Sequence, residues 1–240
     1  MSYKALLAAV VGLPIALSAY SAHALPVTFS SSGSFANPTG CSALSPACTV
    51  DQSGKRLILG TDMFIFWPTA PYSTLTAVNV PSTSTVTPQN DFRIGEIDWV
   101  NVPTTNSDKN FNDKYTLNLN FTAPGVAAAT ASMNLNIKQP TNPPGDSITQ
   151  LLLSALAPFD MTFAGLKVSD VKFVLGDAGS KNSTFDPGTG KWYNPENNTA
   201  KLYITADFTA MAVPEPASLA VLGVGLLGVG MMRRRRDHAA

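Results

Sequence analysis

Tyr115, Leu117, Leu119 and Phe121 alternate with Thr116, Asn118, Asn120 and Thr122. Ala131, Met133, Leu135 and Ile137 alternate in the same way with Ser132, Asn134, Asn136 and Lys138, and Leu202, Ile204, Ala206 and Phe208 repeat the pattern near the end of the chain. A period of two puts every apolar side chain on one face of a strand and every polar one on the other. Further strands are predicted over 27–35, 57–67, 74–80, 92–100, 147–153, 159–163 and 168–175. The apolar run 147–157 also fits a short helix. Turn formers separate these segments, among them Pro103, Pro124-Gly125, the run Pro140 to Gly145, and Pro187 to Gly190. Roughly ten short strands so punctuated predict an all-β body over 25–212, an antiparallel β-sandwich of jelly-roll-like order.

The two ends follow a different pattern. After Met-Ser-Tyr-Lys comes an apolar run from Ala5 to Leu17, then small residues up to Ala24. A charged start, a short apolar centre and a small-x-small exit describe a secretory signal peptide over 1–24, cleaved after Ala24. At the other end Val213-Pro214-Glu215-Pro216 precedes an uncharged stretch from Ala217 to Met232, followed by Arg233, Arg234, Arg235 and Arg236. Sixteen helical residues reach about 24 Å at 1.5 Å each, against a bilayer core of ~30 Å. Such a transmembrane helix spans if its arginines snorkel and the bilayer thins. Gly223, Gly225, Gly228 and Gly230 weaken a helix in water but are common in membranes. The arginines form a cytoplasmic stop, so the body is expected outside. Each proline of Pro-Glu-Pro fixes φ and pushes the preceding residue toward extended geometry. The tripeptide is thus a short extended strand carrying one carboxylate. It suits the grip of a membrane-embedded enzyme, or serves as a stiff juxtamembrane linker.

Composition narrows what the body does. Charged residues are 13% of the 240 and the formal net charge is zero, which excludes a polybasic nucleic-acid binder. Ser, Thr and Asn together make up a quarter of the chain. The only histidines are His23 and His238, near the ends. Ser-His-Asp and Cys-His catalysis, and zinc held by histidine, are therefore absent from the body by inventory. Cys41 and Cys48 are the only cysteines; in an exported protein they are expected to pair as a disulfide, and no further soft ligand accompanies them for a metal.

Three features remain as candidate chemistry. Oxygen-rich stretches at Asp108 to Asp113, Thr141-Asn142 to Asp146, and Asp177 to Asp186 suit calcium, although Asx residues also build turns. Otherwise no metal or cofactor is expected. Trp192-Tyr193, within a polar segment, is the candidate for stacking on a sugar ring, whereas Trp67 and Trp99 end strands and are expected in the core. Glu96 and Asp98, two apart on one strand, share a face and match either a glycosidase pair or a wet strand surface.

The order Val-Pro-Glu-Pro, glycine-rich apolar helix, arginine cluster, behind a signal peptide, closely resembles the PEP-CTERM sorting signal of exopolysaccharide-producing Gram-negative bacteria. The resemblance covers 213–236. It implies that Pro214, Glu215 and Pro216 are the recognition motif and that an exosortase-type membrane enzyme processes the tail. The protein is then inner-membrane tethered until it reaches the surface or matrix. The body resembles choice-of-anchor K domains through Phe29, Gly33 and Phe35 with Asn37 to Gly40, through Gly95-Glu96-Ile97-Asp98-Trp99, through Thr141-Asn142 with Asp146 and Ile148, and through Leu202 to Thr209. Where that family tends to carry a Thr/His-Asn element, this chain has Trp99 to Pro103. The resemblance implies a β-sandwich without assigned catalytic residues. The expected function is a non-catalytic, exosortase-sorted surface or biofilm-matrix protein. A carbohydrate-binding module on matrix polysaccharide and a glycoside hydrolase are the alternatives, exopolysaccharide the expected partner, and nucleic acid excluded.

Overall fold

A computed structural model of the chain describes residues 26–40, 48–51, 53–59, 72–80, 83–103, 109–140, 145–176 and 181–211. The expected signal peptide, transmembrane helix and sorting tripeptide lie outside these residues. So do Cys41 and the side chain of Cys48, and with them the expected disulfide. Among the described residues no helix is long and apolar enough to cross a membrane.

The described chain is all-β and antiparallel. One sheet contains β1 (Val27–Thr39), β5 (Thr83–Val86), β7 (Lys109–Ala123), β8 (Ala127–Gln139), β9 (Asp146–Thr149), β12 (Thr184–Asp186) and β13 (Lys191–Asn194), in the order β12-β13-β9-β8-β7-β1-β5. The other contains β2 (Cys48–Val50), β3 (Arg56–Leu59), β4 (Ser73–Val78), β6 (Phe92–Asn101), β10 (Met161–Phe163), β11 (Leu166–Leu175) and β14 (Asn198–Ala210), in the order β10-β11-β14-β6-β4-β3-β2. A 3-10 helix, Leu153–Phe159, joins β9 to β10 and seals Leu156 and Phe159 into the interior. The ambiguous run after residue 146 thus divides into a short strand and a 3-10 helix.

Strand order departs from the jelly-roll-like expectation. Strands β7, β8 and β9 are neighbours in one sheet, and β2, β3 and β4 in the other. A jelly roll would send most consecutive strands to the opposite sheet. The turn between β7 and β8, Pro124 to Val126, is too short for that and folds the chain back as a hairpin, whose register pairs Phe121 with Ala127 and Lys109 with Gln139.

The period of two does what the sequence implies. Tyr115, Leu117, Leu119 and Phe121 of β7 are buried, and the intervening polar residues face outward. There they pair across strands: Thr116 with Ser132, Thr130 with Asn118, Asn136 with Asn112. The buried faces of the two sheets meet in one core. Phe29 of β1 packs edge-on against Phe92 of β6 and Phe208 of β14 at 5.4 and 5.5 Å. Farther along β6, Trp99 meets Trp192 of β13 edge-on at 5.0 Å. Large side chains so enclosed stabilise the fold by about 1.5–3 kcal/mol each. Gly33 of β1 leaves no room for a side chain: a Cβ there would lie 2.6 Å from Tyr115 Oη and 2.9 Å from Ala77 Cβ.

Candidate functional site

Two clusters of polar and charged groups stand out, on different parts of the molecule. The first is on the outer face of the sheet containing β6 and β14. Ile97 and Trp99 of β6 point into the core, so Glu96 and Asp98 point out, on one face as their spacing implies. The register places Lys201 of β14 opposite Asp98 and diagonal to Glu96. Lys201 Nζ donates to Glu96 Oε1 at 2.6 Å and to Asp98 Oδ1 at 3.0 Å. Arg93 Nη1 donates to Glu96 Oε2 at 2.7 Å, while its guanidinium lies 5.2 Å from the centre of the Tyr203 ring. Both carboxylates are therefore held by cations, Glu96 by Lys201 and Arg93 and Asp98 by Lys201. Burial raises the pKa of Asp98, and the neighbouring Glu96 carboxyl raises it further. Burial also acts on Glu96, but the adjoining Asp98 carboxyl, the bond from Lys201 and the charges of Lys201 and Arg93 outweigh it and hold that carboxyl below its ordinary range. When the pair takes up a proton, Asp98 carries it. Beside the pair a groove of about 460 Å³ runs along Asn79, Gln89, Phe92, Arg93 and Glu96.

The second cluster closes one end of the core. Ile137 of β8, Ile148 of β9 and Trp192 of β13 form an apolar row across three paired strands. Two residues along each strand, on the same inward face, come Gln139, Asp146 and Asn194, all buried. Gly145 lets this end close, since a Cβ there would lie 2.5 Å from the Asn194 carbonyl oxygen and from Pro195 Cα. Asn194 is satisfied: its Oδ1 accepts from Ser183 Oγ and Asn198 Nδ2, each at 2.8 Å, and its Nδ2 donates to the Trp99 carbonyl at 3.3 Å. Asn101 Nδ2 of the facing sheet donates to the Asn194 carbonyl at 2.8 Å.

Its neighbours are not satisfied. Both oxygens of Asp146, both oxygens of Glu196 in the segment after β13, and the amide oxygen and nitrogen of Gln139 are shielded from solvent without a hydrogen-bond partner. Burial pushes the Asp146 carboxyl up to about 8, reinforced by the charge of Glu196 and only partly opposed by the Gln139 amide. Burial pushes Glu196 up to about 7.

Several residues singled out in the sequence stand elsewhere than expected. Trp192 is not in an open polar loop. It lies on β13, paired with β9 on one side and β12 on the other, and is fully buried. Its indole face is spent on Trp99 and cannot stack on a sugar; Tyr193, on the opposite face of β13, is half-buried. Asp108 lies outside the described residues; from Lys109 on, the first oxygen-rich stretch is strand rather than loop, with Asn112 bonded to Asn136 and Asp113 turned inward. Residues 141–144 and 177–180 lie outside the described residues. Asp186 caps a turn, accepting from Gly188 N at 2.9 Å and Thr189 Oγ1 at 2.6 Å. Gln139 and Glu196 belong to no local motif, and only the fold brings them to Asp146. Opposite charge on a neighbouring strand was the sole available pointer to Lys201.

Chain ending supplies the remaining observation. Strand β14 runs to Ala210, Met211 N donates to the Gly165 carbonyl at 2.7 Å, and Pro214 follows within three residues. Residues 212–236 match the family model of the PEP-CTERM protein-sorting motif. The chain carries a PEP-CTERM tail. That tail marks an exported protein, membrane-anchored before an exosortase processes it. The match covers the PEP-CTERM tail and not the body, and neither the curated proteins nor the solved structures contain a match to the chain.

Proposed function

We propose that the chain is a surface or extracellular-matrix protein whose non-catalytic β-sandwich body is delivered by its PEP-CTERM tail. The observation that carries this reading is the family match over 212–236. In it, 1–24 is removed on export, 217–232 holds the protein in the membrane with Arg233 to Arg236 inside, and the enzyme grips Pro214, Glu215 and Pro216. The short connection from β14 supports this, because it leaves almost no linker between the body and the gripped strand. Exposed Val126 and Met211 lie at the end of the body where the chain leaves, suited to a position against the bilayer. In the exported state Cys41 and Cys48 pair.

A non-catalytic body accords with the Glu96–Asp98 geometry. Retaining glycosidases hold their carboxyls about 5–5.5 Å apart around a sugar, and inverting ones farther. Here both are tied up in ion pairs, Glu96 with Lys201 and Arg93 and Asp98 with Lys201. The groove beside them favours a second reading, contact with matrix polysaccharide through Arg93, Asn79 and Phe92.

Mass spectrometry of the protein recovered outside native cells is expected to find the Arg233 to Arg236 end missing. Glu215→Gln is expected to shift the protein to the membrane fraction with its tail intact. A secreted form that keeps its arginines contradicts the processing. New reducing ends released from host polysaccharide by the wild-type protein, and lost in Asp98→Asn, contradict the non-catalytic body. Glycan binding lost in Arg93→Ala supports the second reading.

A further inference from the structure

We propose that Asp146, Glu196 and Gln139 form a binding site for a hard divalent cation, calcium by its donor set, at the end of the core farthest from the tail. The stranded groups make the case. Asp146 and Gln139 are 0% and 1% exposed, and beyond their contact with each other neither has a partner for a side-chain polar atom. A buried carboxyl without a donor is costly, and a buried amide with both ends unpaired scarcely less so. Nearly all such groups in native proteins are paired, so a cluster of them calls for a ligand. Here the unpaired atoms include four carboxyl oxygens and one amide oxygen. Among the described residues no Lys or Arg is bonded to either carboxyl, whereas Glu96 and Asp98 have theirs. Apart from the Gln139 amide nitrogen the unpaired atoms are acceptors, and no cation among the described residues balances the two carboxyls.

The donors select the ion. All are oxygens, with no histidine or thiolate, which suits calcium or magnesium over zinc or copper. Two carboxylates balance a charge of two. Calcium takes six to eight oxygens at flexible angles, so five protein oxygens with water complete a shell. Magnesium demands a near-ideal octahedron and holds its water, a poorer match to three side chains from β8, β9 and the segment after β13. The raised pKa values of Asp146 and Glu196 accord with a site that holds protons when the ion is absent.

A bound ion would tie β8 and β9 to the entry of β14 and fix the end of the sheet. Extracellular calcium modules bind in the ~0.1–1 mM range. A site of that strength stays empty in the cytosol and fills after export. Binding itself does not depend on how the tail is processed.

The test uses the full chain in detergent, with calcium chloride as the probe. Isothermal titration is expected to give one calcium per chain. Thermal unfolding in 10 mM calcium chloride is expected to rise by roughly 3–10 °C over EDTA. Asp146→Asn and Glu196→Gln each reduce the affinity at least tenfold, and both leave the EDTA melting temperature equal or higher, since each removes a buried acid. Asp170→Asn, in the surface group of Asp91, Asp170 and the half-buried Asp207 that Lys172 already bridges in part, leaves binding intact. No heat and no shift with the folded wild type would overturn the site. A wild-type response in both Asp146→Asn and Glu196→Gln would do the same. An equal response to magnesium chloride would overturn the choice of calcium.

Discussion

Trp192 shows how much one side chain decides at the level of single residues. Its ring fills the space between the sheets against Trp99, on a strand of only four residues, Lys191–Asn194. Trp192→Ala leaves a large void at the junction of apolar and polar layers. It is expected to cost roughly 3–5 kcal/mol, read as a lower urea midpoint. Gly33→Ala acts in the opposite sense, by overfilling. With Tyr115 Oη 2.6 Å away, the added methyl must displace the ring, and a loss of about 1–3 kcal/mol is expected. Lys201→Ala strips the shared cation from Glu96 and Asp98. A loss of about 1–3 kcal/mol at neutral pH is expected. It should shrink as pH falls, because Asp98 then takes a proton and removes the repulsion. An equal loss at every pH would mean that the lysine acts by packing alone.

Elements were legible in proportion to the length of their alternation. β7, β8 and β14, of 15, 13 and 13 residues, could be read directly, because one wet and one dry face force a period of two over many residues. β13 could not. Lys-Trp-Tyr-Asn is short, follows Gly188 to Gly190 and precedes Pro195, so its composition reads as loop. Only the ladders to β9 and β12 make it strand. That is also why Trp192 looked available for a ligand. The carboxylate pair was legible, since its two-residue spacing is local, but the clamp on it was not, because Lys201 lies 105 residues from Glu96. The polar layer was least legible. Gln139, Asp146 and Asn194 continue apolar strand faces with polar residues, and sequence reasoning ends a strand where its pattern breaks. The tail was the most legible part, because its order of tripeptide, apolar run and arginines is contiguous.

Over the whole molecule the two ends of β14 differ in kind. One leads into the sorting tail; the other, about 40 Å away at 3.3 Å per residue, enters the polar layer. Two acids there and Asp113 on β7 contribute most to the pH response, and Asp98, raised by burial and by Glu96, shares their sign. Burial raises Asp113 to about 6 from 3.8, Glu196 to about 7 from 4.5, and Asp146 to about 8 from 3.8. Between pH 4 and 8 the folded protein thus holds protons that the unfolded chain has lost. Stability from these groups is greatest below the unfolded pKa and falls as pH rises through the folded values. Glu96 acts oppositely, its contribution being lost as pH falls below the ordinary carboxyl range. Asp51 and Asp186 share its sign but are exposed and screened. Lys172 and Lys201, both raised, lose their contributions only at pH above the ordinary lysine range. In EDTA the urea midpoint is therefore expected to peak on the acid side of neutrality and to drop by pH 8.5. Calcium at Asp146 and Glu196 would replace the protons that leave, so saturating calcium chloride should flatten most of that drop, and Asp113→Asn should flatten the remainder. A midpoint that holds level to pH 8.5 in EDTA would mean that these three carboxyls are ionised in the folded protein without penalty, and that the layer has its own hydration.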